Sequence, residues 1–122
     1  SGLAEEQLRS YKRTLNRLMR DERIYLRPGL TLPRLAEAVG CSVNHLSQVI
    51  NSGFGVSYFD LINRHRVEHA KVLLENLDDH GAVLNIAFTV GFNSNSAFYS
   101  AFKKHVGMTP AQFRRIRAQV SS

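Results

Sequence analysis

One short segment of this 122-residue chain occurs twice. Leu35-Ala36-Glu37-Ala38-Val39-Gly40 returns fifty-one positions later as Ile86-Ala87-Phe88-Thr89-Val90-Gly91. A second apolar stripe follows each glycine: Leu46, Val49 and Ile50 in the first copy, Phe98, Ala101 and Phe102 in the second. Each copy closes on a glycine before a new helix start, Gly55-Val56-Ser57 and then Gly107-Met108-Thr109. A helix, a glycine turn and a second helix form a helix-turn-helix unit, and two of them constrain the chain to an all-α fold. No useful strand pattern interrupts them.

The remaining segments fit around the two units. Leu8, Tyr11, Leu15, Leu18 and Met19 recur at helical spacing and predict a helix over 4–20. Arg27-Pro28-Gly29 reads as a turn. Thr31 caps the next helix, with Pro33 in its first turn, and Gly40 stops it. Ser42 caps a helix over about 43–51 that is expected to end near Ser52-Gly53. Ser57, with Asp60 three residues on, opens a longer helix to about Leu77. Asp78-Asp79-His80-Gly81 breaks the pattern. Val83, Ile86, Ala87 and Val90 then repeat the first stripe, and a helix over about 94–105 follows. Thr109-Pro110-Ala111-Gln112 is a strong start for the last one. The expected organisation is a helix and linker tail over 1–21, a first lobe over 22–56, a connecting helix over 57–77 and a second lobe over 78–122. About seven helices result. From Leu46/Phe98 onward the repeat offset is fifty-two, so the second turn carries one extra residue around Phe92 to Ser94.

Charge narrows the function. The net charge is +6 and unevenly spread: residues 1–30 carry +3, residues 31–82 carry −2 and residues 83–122 carry +5. A basic chain favours polyanions. Apolar residues make up 43% of the chain, enough for a packed core, and no apolar run is long enough to cross a membrane. The single cysteine, Cys41, excludes an internal disulfide and is expected to be a small residue of the first turn in a reducing cytosol. Ser1-Gly2, without an initiator Met, reads as an expression remnant on a fragment of a longer protein.

In a helix-turn-helix the second helix enters the major groove. With one face of it packed on the first helix, the other is open to bases. The expected base-contact residues are Val43, Asn44, Ser47 and Gln48 in the first unit, and Asn95, Ser96, Tyr99 and Ser100 in the second. Asn and Gln pair with adenine, and Val43 suits a thymine methyl. Ser42, Asn51, Arg64, Ser94, Lys103, Lys104 and His105 are expected at phosphates. The connecting helix, about twenty residues rising ~1.5 Å each, spans ~30 Å, against ~34 Å for a turn of B-DNA. That length suits two reading helices in successive grooves.

The second half resembles a known family. Ile86-Ala87-Phe88-Thr89-Val90-Gly91-Phe92-Asn93-Ser94 continues through Phe98 and Phe102-Lys103-Lys104-His105-Val106-Gly107-Met108-Thr109-Pro110 to Phe113-Arg114. This stretch resembles the signature region of the AraC/XylS family of bacterial transcription regulators. Leu32, Leu35-Ala36, Ser42, His45-Leu46-Ser47 and Asn63 through Ala70 to Leu73-Leu74 match the weaker N-terminal half, so the likeness covers about residues 22–117. It implies seven helices in two lobes, reading helices in adjacent major grooves, and transcription activation through RNA polymerase, often with DNA bending. Family contact positions carry over to Asn44, Ser47, Gln48, Asn95, Ser96, Tyr99 and Ser100. Gln48 and Ser100 stand where many members carry Arg, which shifts readout toward Asn, Gln and DNA shape. Members usually carry a separate sensory or dimerisation domain; the module itself is expected to be monomeric and to act on DNA in the cytoplasm, at the nucleoid.

Three rival readings compete. His65 and His69 lie at i, i+4, a metal-ligand spacing, with no third ligand nearby in sequence. No nucleophile–base motif, phosphate loop or metal signature suggests an enzyme. No cofactor or metal is expected. The alternative to a DNA reader is a helical protein-interaction module with degenerate DNA binding.

Overall fold

The computed structural model describes residues 3–76 and 83–121. The described residues form seven α-helices and no strand. They are α1 (Glu5–Arg20), α2 (Leu32–Val39), α3 (Val43–Phe54), α4 (Tyr58–Glu75), α5 (Val83–Thr89), α6 (Asn95–Val106) and α7 (Pro110–Ser121), with a 3-10 turn at Ile24–Leu26. The chain divides into two compact units. The first holds residues up to Tyr25 and Gly29–Ile62; the second holds Leu26–Pro28 and the residues from Asn63 on. Helix α4 therefore contributes to both.

In the first unit α1 packs on α3 and α2, and α2 on α3. Leu15, Leu18, Met19, Leu35, Ala36, Val39, Leu46, Val49 and Ile50 are buried. These are the stripes read from the sequence, so the 3.6-residue period alone assigns the inward faces. In the second unit Val67, Ala70, Leu74, Ile86, Ala87, Val90, Phe92, Phe98, Ala101, Phe102 and Phe113 form one core, with Leu26 packed against it. Its aromatic rings step across the unit: Phe92, Phe98, Phe102 and Phe113 meet in successive pairs at centroid distances of 5.5, 5.8 and 5.6 Å.

The two turns are built alike, and their hydrogen bonds locate the extra residue. Gly40 (φ 90°) and Gly91 (φ 107°) both occupy the left-handed region, where a side chain is strained. Cys41 N–H donates to Ala36 O at 3.0 Å, and Phe92 N–H donates to Ala87 O at 2.9 Å. Cys41 and Phe92 are thus equivalent. Ser42 and Ser94 are equivalent as well, because each hydroxyl accepts the N–H three residues on, from His45 and Ala97, at 3.1 Å. The insertion is Asn93, which is exposed.

Two boundaries differ from the sequence reading. Helix α3 does not end at Ser52-Gly53 but runs on to Phe54. A single glycine inside a helix costs about 1 kcal/mol and does not stop it; the stop comes at Gly55, whose N–H bonds Asn51 O at 3.0 Å. Helix α4 ends at Glu75, where Asn76 turns its side-chain amide back to Val72 O at 2.9 Å. Leu77 and the polar break at 78–81 lie outside the described residues.

Candidate nucleic-acid interface

Each second helix has one face committed to its own unit. In α3, Leu46, Val49 and Ile50 are almost fully buried. The opposite face holds Asn44 and Asn51, both exposed, Ser47 and Gln48, both half-buried, and Val43 at 39% exposure. In α6, Phe98, Ala101 and Phe102 are buried. Ser96, Ser100, Lys103 and Lys104 are exposed on the outer side. Tyr99 is half-buried, its ring 5.5 Å from that of Phe98, so the phenol is carried on the core's edge. The geometry offers two short polar ridges of side-chain amides and hydroxyls, groups that donate and accept at base edges.

Helix caps place the remaining expected residues. The hydroxyls of Ser42 and Ser94 accept backbone N–H groups and keep their own protons for another acceptor. Both sit at helix N-termini, where backbone N–H groups and the helix dipole favour an anion. Lys103, Lys104 and His105 lie in the last turn of α6. The charges of Lys103 and Lys104 stabilise that helix end as well as any bound phosphate. Arg64 is exposed on α4.

Two of the expected contacts are partly withdrawn. Asn95 has its carboxamide oxygen buried, with no hydrogen-bond partner among the described residues. A paired contact to adenine needs both ends of the amide, so this side chain must turn before it can make one. His105 likewise has Nε2 buried and without a partner among the described residues, which leaves only its other ring nitrogen for a phosphate. Neither feature is visible from helical spacing.

The sequence reading also passes over Arg66. Its guanidinium lies 5.5 Å from the centre of the Phe92 ring and donates to Arg27 O at 3.0 Å. It thereby ties the second turn to the 26–28 segment inside one unit. Its partner is thirty-nine residues away, so no local signal points to it.

The rival sites are plain in the structure. His65 and His69 share α4, and among the described residues no three His, Cys, Asp or Glu side chains come together. Cys41 is half-buried in the first turn, and burial pushes its thiol pKa up, away from thiolate chemistry. No described helix is long and apolar enough to cross a membrane.

Comparison with known proteins adds to this geometry. Residues 35–116 match the helix-turn-helix domain family. Over 90 residues the chain is 36% identical to the melibiose operon regulatory protein of Escherichia coli K12, a match covering 74% of this chain and 29% of that protein. Over 98 residues it is 34% identical to an uncharacterized HTH-type transcriptional regulator of Staphylococcus aureus strain COL, covering 80% of this chain and 13% of that protein. The chain thus spans less than a third of these relatives. Among solved structures it superposes on the C-terminal domain of the response regulator AraT from Geobacillus stearothermophilus with a TM-score of 0.72 at 29% identity, covering 95% of this chain and 88% of that one. An AraC-type transcriptional regulator from Chromobacterium violaceum gives 0.75 at 22% identity, covering 94% and 98%, and shares the fold.

Proposed function

The chain belongs to the AraC/XylS family of DNA-binding transcription regulators, not to an enzyme family, and on that premise we propose that it reads double-stranded DNA with both of its units. In this reading α3 and α6 occupy adjacent major grooves of one asymmetric site. Val43, Asn44, Ser47 and Gln48 face one segment; Asn95, Ser96, Tyr99 and Ser100 face the other. Ser42, Asn51, Arg64, Ser94, Lys103, Lys104 and His105 fix the register on phosphates. The observation that carries the reading is the shared construction of the units. Each buries an apolar stripe of its second helix and leaves a polar ridge outward beside a capped N-terminus.

The ridges differ in composition. The first offers amides and no Lys or Arg; the second ends in Lys103 and Lys104. The first therefore contributes base selectivity with little charge, and the second contributes more of the salt-dependent binding. Within its whole protein the module acts in the bacterial cytoplasm as a monomeric DNA-binding part, activates transcription through RNA polymerase, and answers to a sensory or dimerisation domain elsewhere in that protein.

The test is footprinting on a site selected from a random duplex pool. Two protected major-groove segments about one helical turn apart are expected. Protection of one segment alone overturns the two-unit reading. Association that ignores salt, with no protected DNA, favours a helical protein-interaction module instead.

A further inference from the structure

The first reading helix lacks the cations that DNA binding needs. Helix α3 contains no Lys or Arg, and residues 29–62 carry Arg34 against Glu37 and Asp60. The Arg34 guanidinium is itself engaged, donating to Gly29 O at 2.9 Å. Positive charge in this unit is gathered on α1 and just after it: Arg9, Lys12, Arg13, Arg17, Arg20 and Arg23.

That charge adjoins the reading surface at one point. Ser47, Asn51 and Phe54 follow one another at i, i+4 and i+7, so they form one ridge of α3. The Lys12 ammonium lies 5.1 Å from the centre of the Phe54 ring. Its stem runs beside Gly53, where an added Cβ would stand 3.4 Å from Lys12 Cδ. The ridge that starts with a proposed base contact therefore ends against Lys12.

Lys12 is in turn the inner edge of a basic stripe. Leu15 and Met19 of α1 face the core, and Lys12 is half-buried at its border. Arg9, Arg13 and Arg20 are exposed on the adjoining face, spaced by four and seven residues. Arg9 approaches Glu5 only to 4.0 Å. Arg17 is turned aside into an ion pair with Glu22. Among the described residues Arg13 and Arg20 make no ion pair. From Arg9 to Arg20 the helix rises about 16 Å, while one strand of B-DNA presents a phosphate every ~3.4 Å of axis.

We propose that the Arg9–Arg13–Arg20 stripe of α1, joined to the reading ridge through Lys12 and Phe54, is a phosphate-binding surface for the DNA backbone flanking the first half-site. The inference rests on the DNA-reading function proposed above and adds to it a contact surface outside both helix-turn-helix units. The chemistry is direct. Guanidinium groups pair with phosphate oxygens, and condensed counterions are released when they do.

The experiment compares the full chain with Arg13→Gln/Arg20→Gln on the same selected duplex. Affinity is measured across a salt series and backbone protection by hydroxyl-radical footprinting. The double variant is expected to bind at least about tenfold more weakly at low salt and to lose about 1.8 from the slope of log K against log salt. Its footprint should lose backbone protection just outside the first half-site, while both groove segments stay protected. Arg13→Lys/Arg20→Lys keeps the charge and should keep the slope. An unchanged slope and an unchanged flank, with both grooves still protected, overturn the inference and leave the two-unit reading intact. A wild-type chain that protects no DNA overturns both. If the double glutamine variant binds DNA as wild type does but loses capture of an acidic protein, the stripe is a protein-docking surface and the DNA assignment is wrong.

Discussion

At the scale of single residues, the turn glycines and a half-buried histidine carry the sharpest consequences. Gly40 adopts φ 90°, and a Cβ added there would meet nothing within 4 Å. The cost of Gly40→Ala is therefore conformational, not steric: about 1–2 kcal/mol from the left-handed backbone. Chemical denaturation should show that loss, and a loss much larger than this would point to a clash the structure does not contain. His65 is half-buried on α4, and burial lowers its pKa below the ordinary 6.5, helped by the neighbouring Arg64 charge and opposed by Glu68. The folded state thus holds the imidazole neutral where the unfolded chain would protonate it. Its contribution to stability is whole above about pH 6.5 and is lost as pH falls through the lower folded value. Thermal melting between pH 8 and 5 should drop more steeply for the native chain than for His65→Gln; parallel curves would show that His65 does not couple to folding. Glycine positions are readable in a sequence because the conformation they serve is local. The burial of His65 is not, since neighbouring turns of α4 differ only in what packs on them.

At the scale of elements, helix starts were the most legible feature. Thr31, Ser42, Ser57 and Thr109 are expected at helix starts, and each accepts the N–H three residues along; Ser94, which the spacing counts as the first residue of its helix, caps α6 in the same way. Thr109 goes further. Its hydroxyl accepts from Gln112 N–H at 3.1 Å, and Gln112 Oε1 accepts from Thr109 N–H at 2.9 Å, a reciprocal capping box that starts α7. Thr109→Ala should cost about 1 kcal/mol, seen as a lower denaturation midpoint with an unchanged slope. Restoration by Thr109→Ser is expected; failure of serine to restore it would mean the methyl group, not the cap, matters. Helix ends were less legible. Gly53 resembles a terminator in sequence, yet α3 continues past it to Phe54. That continuation past Gly53 is what brings Phe54 under Lys12.

For the whole molecule, charge and contact chemistry divide between the units. Asn44 is the better probe of base reading, because the carboxamide oxygen of Asn95 is buried. Asn44→Ala should cost about 1–3 kcal/mol of binding on the preferred site and relax selectivity at one position. Lys103→Ala should weaken all duplexes alike and reduce the salt slope by about 0.9. Equal effects of the two variants on selectivity would show that the residues do not divide base reading from phosphate contact. The all-α fold, both helix-turn-helix units, their inward stripes and the longer second turn could be read from the chain alone. All of these rest on hydrogen bonds and side-chain periods that span only a few residues. Other features needed the folded chain: Leu26 and Arg27 in the second unit under Arg66, Asn95 with its oxygen turned inward, and Lys12 seated against Phe54 of α3, forty-two residues away in sequence. Local periodicity tells a helix which face to bury. It does not say which distant segment will cover that face, and in this chain that choice sets which amides and cations remain outside.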